Sequence, residues 1–220
     1  MSAASEGAPA MSPLLLLGGT FDPVHRAHLA MAREALSLLG VDSLRLLPAG
    51  DPPHRPPPGA TAQHRLRMLR LACAGDPRLE VDERELHRQG PSYSVLTLRE
   101  YRQELGAQRP LVMVLGSDAA GGLTLWHEAP ALSTLCHLLV LVRPGERLDP
   151  SVPERLGWRR AETAAALRDA PAGRWYLHQG PLIDISSTAV RAALREQPER
   201  VGQMLPPGVV DYLREHRLYG

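Results

Sequence analysis

Cysteine is scarce: the 220 residues hold two, Cys73 and Cys136, with no CxxC pair. That excludes a fold built on disulfides, and both thiols are expected buried, reduced and inert, as in the cytoplasm. Long apolar runs are also missing, so no segment approaches the length of a membrane span. The formal net charge is only +1, which gives no field for holding long nucleic acid, so any polyanion must be bound locally and small phosphorylated ligands fit best. Met1 to Pro13 is rich in Ala, Ser and Pro and lacks the basic start and apolar core of a secretory signal. It is expected to be a disordered tail, residues 1–13, ahead of the first strand. Aromatic residues make up 4% of the chain, so a tryptophan placed beside a loop stands out.

What is present is an ordinary globular composition, 44% hydrophobic and 22% charged, in a chain long enough for one well-filled α/β domain, expected over residues 14–220. The informative stretch is Leu14-Leu15-Leu16-Leu17-Gly18-Gly19-Thr20-Phe21-Asp22-Pro23-Val24-His25-Arg26-Ala27-His28. The short leucine run suits a strand buried on both faces. Gly18 and Gly19 are expected to turn the backbone tightly and let an anion lie close to it. Leu29, Ala32, Leu36 and Leu39 then recur at helical spacing, with Gly40 placed for a left-handed cap. His25 and His28 would share one face of the first turn, beside unpaired N–H groups and the positive end of the helix dipole. A surface turn with two incidental histidines is the plain rival. A zinc site is disfavoured because no Cys or acidic partner lies at the usual spacing.

Downstream, Ser43 to Leu47 reads as a second strand, followed by a proline-rich loop, Pro48 to Gly59, that carries His54 and Arg55 and follows a strand's carboxyl end. Ala62 to Cys73 reads as an amphipathic helix with Leu66, Leu69 and Cys73 inward and Arg65, Arg67 and Arg70 on its solvated side. Leu79 to Val81 is a short strand. A helix is expected from about Ser94, capped by Ser92 or Ser94. Leu111 to Leu115 is a buried strand whose carboxyl end bears Asp118, either a ribose acceptor or a helix N-cap. Trp126 is a packing anchor or a stacking platform for a flat ring. His137 to Val142 and Trp175 to Leu177 are further strands, and Gly157 to Ala170 reads as helical. Ser187 and Thr188 open a helix that Arg191 joins one turn on, so hydroxyls, N–H groups and a guanidinium converge on an anion-sized space. Small helices are expected over Pro198 to Leu205 and Gly208 to Tyr219.

The first stretch closely resembles the GGTFDPxHxGH signature of the nucleotidyltransferase superfamily that includes the HIGH-type adenylyltransferases. Ala27 stands where that signature has glycine, so the backbone is expected to come slightly less close to phosphate. The proline loop resembles the PPHK or PPHR loop, residues 82–98 resemble the ERELKRxxPSYTxxTL segment of bacterial nicotinate mononucleotide adenylyltransferases, and Ile185 to Arg191 resembles the ISSTxxR triphosphate motif. The motifs run in order from about Leu14 to Tyr219. The resemblance implies a Rossmann-like, doubly wound α/β fold: a mainly parallel sheet, helices on both faces and a small C-terminal helical portion. It implies transfer of AMP from ATP to nicotinate mononucleotide, giving nicotinate adenine dinucleotide and pyrophosphate in NAD synthesis, with magnesium accompanying ATP and no metal held by the protein alone. It assigns His25, His28 and Arg191 to catalysis. Gly18, Gly19, Thr20, Phe21, His28, Arg55, Asp118, Ser187, Thr188 and Arg191 would bind ATP, and His54, Ser94, Trp126 and His127 the mononucleotide. His127 replaces the usual second aromatic of a Trp-aromatic pair. A sister enzyme acting on nicotinamide mononucleotide or phosphopantetheine, and a non-catalytic nucleotide sensor, are the alternatives. No nucleic-acid or membrane partner is implied, and monomer versus homo-oligomer stays open.

Overall fold

The computed structural model describes residues 11–51, 57–143, 145–180 and 182–220. The leucine run forms β1 (Leu14–Gly19), and α1 (Arg26–Leu39) ends at Gly40, whose φ of 56° is the left-handed cap that the spacing predicts. There follow β2 (Leu44–Pro48), α2 (Ala62–Cys73), β3 (Leu79–Val81), α3 (Arg84–His87) and α4 (Ser94–Leu105). The second half holds β4 (Leu111–Gly116), α5 (Ser117–Gly121), α6 (Ala129–Leu135), β5 (His137–Val142), α7 (Ser151–Arg155), β6 (Arg159–Arg160) and β7 (Arg174–Gln179). The expected helical ending is α8 (Ser187–Glu196), α9 (Val201–Met204) and α10 (Pro207–His216).

All seven strands pair in parallel, in the order β3-β2-β1-β4-β5-β7-β6. From β1 the chain winds outward through β2 and β3, then returns to the far side of β1 and winds the other way. The strand order therefore reverses between β1 and β4, and the crevice beyond their carboxyl ends is where open α/β sheets bind ligands.

Both faces of this sheet are covered, which is why the strands read as unbroken apolar runs rather than as alternating ones. Leu15, Leu17, Val112, Val114, Leu139 and Leu141 pack with α1, α2 and the C-terminal helices. Their neighbours Leu14, Leu16, Met113, Leu138 and Val140 point the other way, into a layer closed by α4, α6 and α7. Each buried leucine contributes about 1.5–3 kcal/mol. Cys73 and Cys136 are unpaired and buried as expected, with burial pushing their thiols up to about 11 and about 12.

One local expectation is corrected. Gly157 to Ala170 is not one helix: Arg159–Arg160 form β6 against β7, and a 3-10 turn over Ala164–Arg168 follows. The helical pattern there loses to hydrogen bonds offered by the sheet edge. The tail's first ten residues lie outside the described residues, and Ser12 is held, its carbonyl accepting from Arg109 Nε at 3.0 Å.

Candidate active site

The signature stretch places its functional groups at the carboxyl end of β1, where the chain must turn before α1 begins. Gly18 and Gly19 stay in the strand and do not supply the unusual dihedral. That residue is Phe21, at φ 51°. A left-handed non-glycine costs roughly 1–2 kcal/mol, offset here by a fully buried ring. The ring lies edge-on to His28, with centroids 4.9 Å apart, and a Cβ on Gly19 would stand 3.1 Å from it, so glycine is needed there for space. Around Gly18 nothing lies within 4 Å of such an atom, leaving its backbone open to a ligand. Ala27 is 1% exposed and its methyl joins the core.

His25 and His28 do share a face, stacked with centroids 3.7 Å apart. The His25 backbone N–H donates to His28 Nδ1 at 3.2 Å. With Nδ1 an acceptor, a neutral His28 carries its proton on Nε2. His25 is 1% exposed, and burial, with the charge of Arg143 second, holds its imidazole down to about 3. It is therefore neutral across the working range.

Arg191 reaches this turn from α8. Its Nη1 donates to the Asp22 carbonyl at 2.6 Å and lies 3.6 Å from the Asp22 carboxylate, while Nη2 donates to Thr188 Oγ1 at 3.3 Å. Ser187 Oγ donates to the Pro23 carbonyl at 3.1 Å, and Ser186 caps the helix by accepting from Ala189 N–H. Two motifs some 160 residues apart in sequence thus form one site.

A second arginine corrects the sequence reading. Arg65, expected on the solvated side of α2, is 1% exposed. Its guanidinium donates to the carbonyls of Thr20 at 2.8 Å, Ala49 at 2.7 Å and Gly50 at 3.2 Å. It staples the signature turn to the start of the proline loop. Leu66, expected inward, is only half-buried; Arg67 and Arg70 are exposed as expected. Asp22, singled out by nothing in the sequence beyond its motif, is 6% exposed and gathers the N–H groups of Gly59 and Ala60, at 2.8 and 3.1 Å, and the Tyr219 hydroxyl at 2.6 Å. His54 and Arg55, between these two staples, lie outside the described residues.

The other end of the crevice is built differently. Neither Ser92 nor Ser94 caps α4; Tyr93 occupies the cap position, and Ser92 Oγ instead accepts from Gly50 N–H at 2.8 Å. Tyr93 stacks on His127, centroids 4.1 Å apart at 20°. His127 thus keeps an aromatic contact despite replacing a larger ring. Trp126 is half-buried against the second core layer, and its backbone N–H donates to the Leu123 carbonyl at 3.1 Å. Ser94 is half-buried in the first turn of α4. Asp118 is exposed in the first turn of α5 and does not cap it, since Gly116 holds that position without a side-chain bond. Its carboxylate folds back so closely that a Cβ on Gly116 would lie 2.7 Å away.

A doubly wound sheet carrying two helix starts, two histidines and a guanidinium at its switch point defines a nucleotidyltransferase site, and the chain belongs to the cytidylyltransferase-like family, which it matches over residues 16–193. Among its relatives, a protein of Stenotrophomonas maltophilia (strain K279a) named probable nicotinate-nucleotide adenylyltransferase is 48% identical over 219 residues, covering 95% of this chain and 97% of the relative. A protein of the same name from Yersinia pestis (strain Pestoides F) is 42% identical over 207 residues, covering 93% and 94%. In fold, the chain is similar to the nicotinic acid mononucleotide adenylyltransferase of Plasmodium falciparum complexed with NaAD, at TM-score 0.72 and 18% identity, covering 94% and 97%.

Proposed function

We propose that this chain is a nicotinate-nucleotide adenylyltransferase, joining AMP from ATP to nicotinate mononucleotide and releasing pyrophosphate. The observation that carries this is the stacked His25–His28 pair with Arg191 docked on the same turn, in a chain nearly half identical over its whole length to relatives of that name.

An oxygen of the mononucleotide phosphate attacks the α-phosphorus of ATP, a P–O bond forms, and the bond to the bridging oxygen of pyrophosphate breaks. The attacking group has its second pKa near ~6, so it is already an anion at neutral pH and needs no base. Catalysis then rests on position and charge. The open backbone at Gly18, with Gly19, Thr20 and Phe21, receives the triphosphate. The Nε2–H of His28, whose Nδ1 accepts from the His25 backbone N–H, donates to the α-phosphate, and the His25 ring stacked on its face fixes its orientation. Arg191, Thr188 and Ser187 meet the charge that develops on pyrophosphate. Asp118 accepts from ribose hydroxyls, and Arg55 is assigned to ATP. Trp126 stacks on the nicotinate ring, with Ser94, His127 and His54 completing that pocket. Magnesium enters with ATP, as the MgATP substrate. Among those residues no helix is long and apolar enough to cross a membrane, and we place the reaction in the cytoplasm.

Purified protein given ATP with nicotinate or nicotinamide mononucleotide, or with phosphopantetheine, tests the reading by pyrophosphate release. Strong preference for nicotinate is expected. Equal use of nicotinamide, or preference for phosphopantetheine, would assign a sister enzyme, and no release with any acceptor would leave a nucleotide sensor.

A further inference from the structure

The carboxylate of Asp22 is the one buried anion in direct contact with Arg191 among the described residues, and its other partners decide how strongly it holds that guanidinium. Oδ1 accepts from Ala60 N–H at 3.1 Å and from the Tyr219 hydroxyl at 2.6 Å; Oδ2 accepts from Gly59 N–H at 2.8 Å and faces Arg191 Nη1 at 3.6 Å. Tyr219 comes from the segment after α10, held there by left-handed backbone at Arg217 and at Tyr219 itself, with φ of 50° and 65°. Its ring lies on Gly59, where a Cβ would stand 3.0 Å from it. Burial, with the Asp22 carboxylate second, pushes the phenol well above its ordinary range, so it stays a donor at every working pH.

We infer that Tyr219 is a positioning residue for the triphosphate: by donating to Asp22 it spreads that carboxylate's charge over neutral donors and leaves Arg191 free to face phosphate. Without the hydroxyl, Oδ1 loses its shortest hydrogen bond and the carboxylate competes harder for Arg191, drawing it off the ligand. Gly59 and Ala60 end the proline loop, so the same contact fixes one end of that loop. This inference rests on the adenylyltransferase reading.

The test is Tyr219→Phe, which keeps the ring against Gly59 and removes only the donor, with Tyr212→Phe as control. Tyr212, on α10, hydrogen-bonds His64 at 2.9 Å and, among the described residues, makes no hydrogen bond to a site group. In enzyme whose wild type forms the dinucleotide, Tyr219→Phe should raise the KM for ATP about tenfold, equivalent to about 1.4 kcal/mol, and move the mononucleotide KM less than about twofold. Tyr212→Phe should change neither constant. In an Asp22→Asn background Tyr219→Phe should add almost nothing, because it acts through that carboxylate. An unchanged ATP constant, equal shifts for both substrates accompanied by a lower melting temperature, or additivity with Asp22→Asn would overturn the inference. A wild type that forms no dinucleotide would instead sink the functional reading beneath it, and direct ATP binding by calorimetry would then still read the Tyr219→Phe effect.

Discussion

The two ends of the crevice are held by different physics. At the phosphate end, side chains are fixed by hydrogen bonds to backbone carbonyls and to one buried carboxylate: Arg65 to Thr20, Ala49 and Gly50, Arg191 to Asp22, Ser187 to Pro23. At the ring end, Tyr93 stacks on His127, Trp126 leans on the core, and the ion pair of Arg99 with Glu128 is exposed. The difference follows from the ligands. Phosphate needs donors held within fractions of an ångström, and a buried guanidinium costs less the more of its N–H groups are satisfied: Arg65 engages three carbonyls through Nη1 and Nη2, while its Nε has no partner among the described residues. A flat ring needs a surface, and stacking tolerates exchange of one aromatic for another. An exposed ion pair of this kind contributes little.

That contrast makes Arg65→Ala the most damaging change. It strands three carbonyls, each worth about 1–3 kcal/mol when buried and unpaired. Chemical denaturation should record a loss of roughly 4 kcal/mol, and ATP binding should weaken with it. A variant as stable as wild type would mean the phosphate end is not braced as described.

His28→Ala should leave the melting temperature nearly unchanged while turnover falls on the order of 10²–10³, the scale for one preorganised donor to developing charge. Turnover within a few-fold of wild type would make the histidine structural.

Trp126→Ala sharpens the comparison from the other side. Loss of stacking should weaken the mononucleotide about ten- to a hundredfold, by the roughly 1–3 kcal/mol of base stacking, and spare ATP. Since Trp126 is half-buried, some stability goes too. If the melting temperature drops as far as for Arg65→Ala and both substrates suffer alike, Trp126 is a core anchor and the two ends are not distinct.

Arg191→Ala should weaken ATP by about tenfold or more and the mononucleotide little, because a guanidinium on a helix turn reads charge and not the ring. Calorimetry with each substrate separates the cases.

A further effect is one of pH. His25 is held to about 3 when folded but titrates near ~6.5 when unfolded. Between those values the unfolded chain binds the extra proton, so this stability is complete above about 6.5 and declines as pH falls toward 3. His25→Gln should flatten that part of the stability profile; an unchanged slope between pH 7 and 5 would show that His25 is not the group responsible.

Much of this was legible in the residues because it is local. The leucine run, the helical spacing to Leu39, the left-handed Gly40 and the order of motifs require only neighbours a few positions apart. Periodicity therefore determined six of the seven strands, most helices and the His25–His28 face. Arg65 could not be read that way: on a helical pattern it is a charge beside other charges, and its partners are carbonyls from two distant turns that carry no side-chain signature. Ser92 looked like a cap but serves Gly50, and Gly157 to Ala170 looked helical until a sheet edge offered Arg159 and Arg160 a ladder. Trp126 as anchor or platform is open in sequence because burial is a property of the packed layer it meets. The sequence by itself determined most of the elements and their order along the chain. Tertiary structure decided which polar groups are shared between them, because a buried donor must find an acceptor wherever the fold brings one, at any distance along the chain.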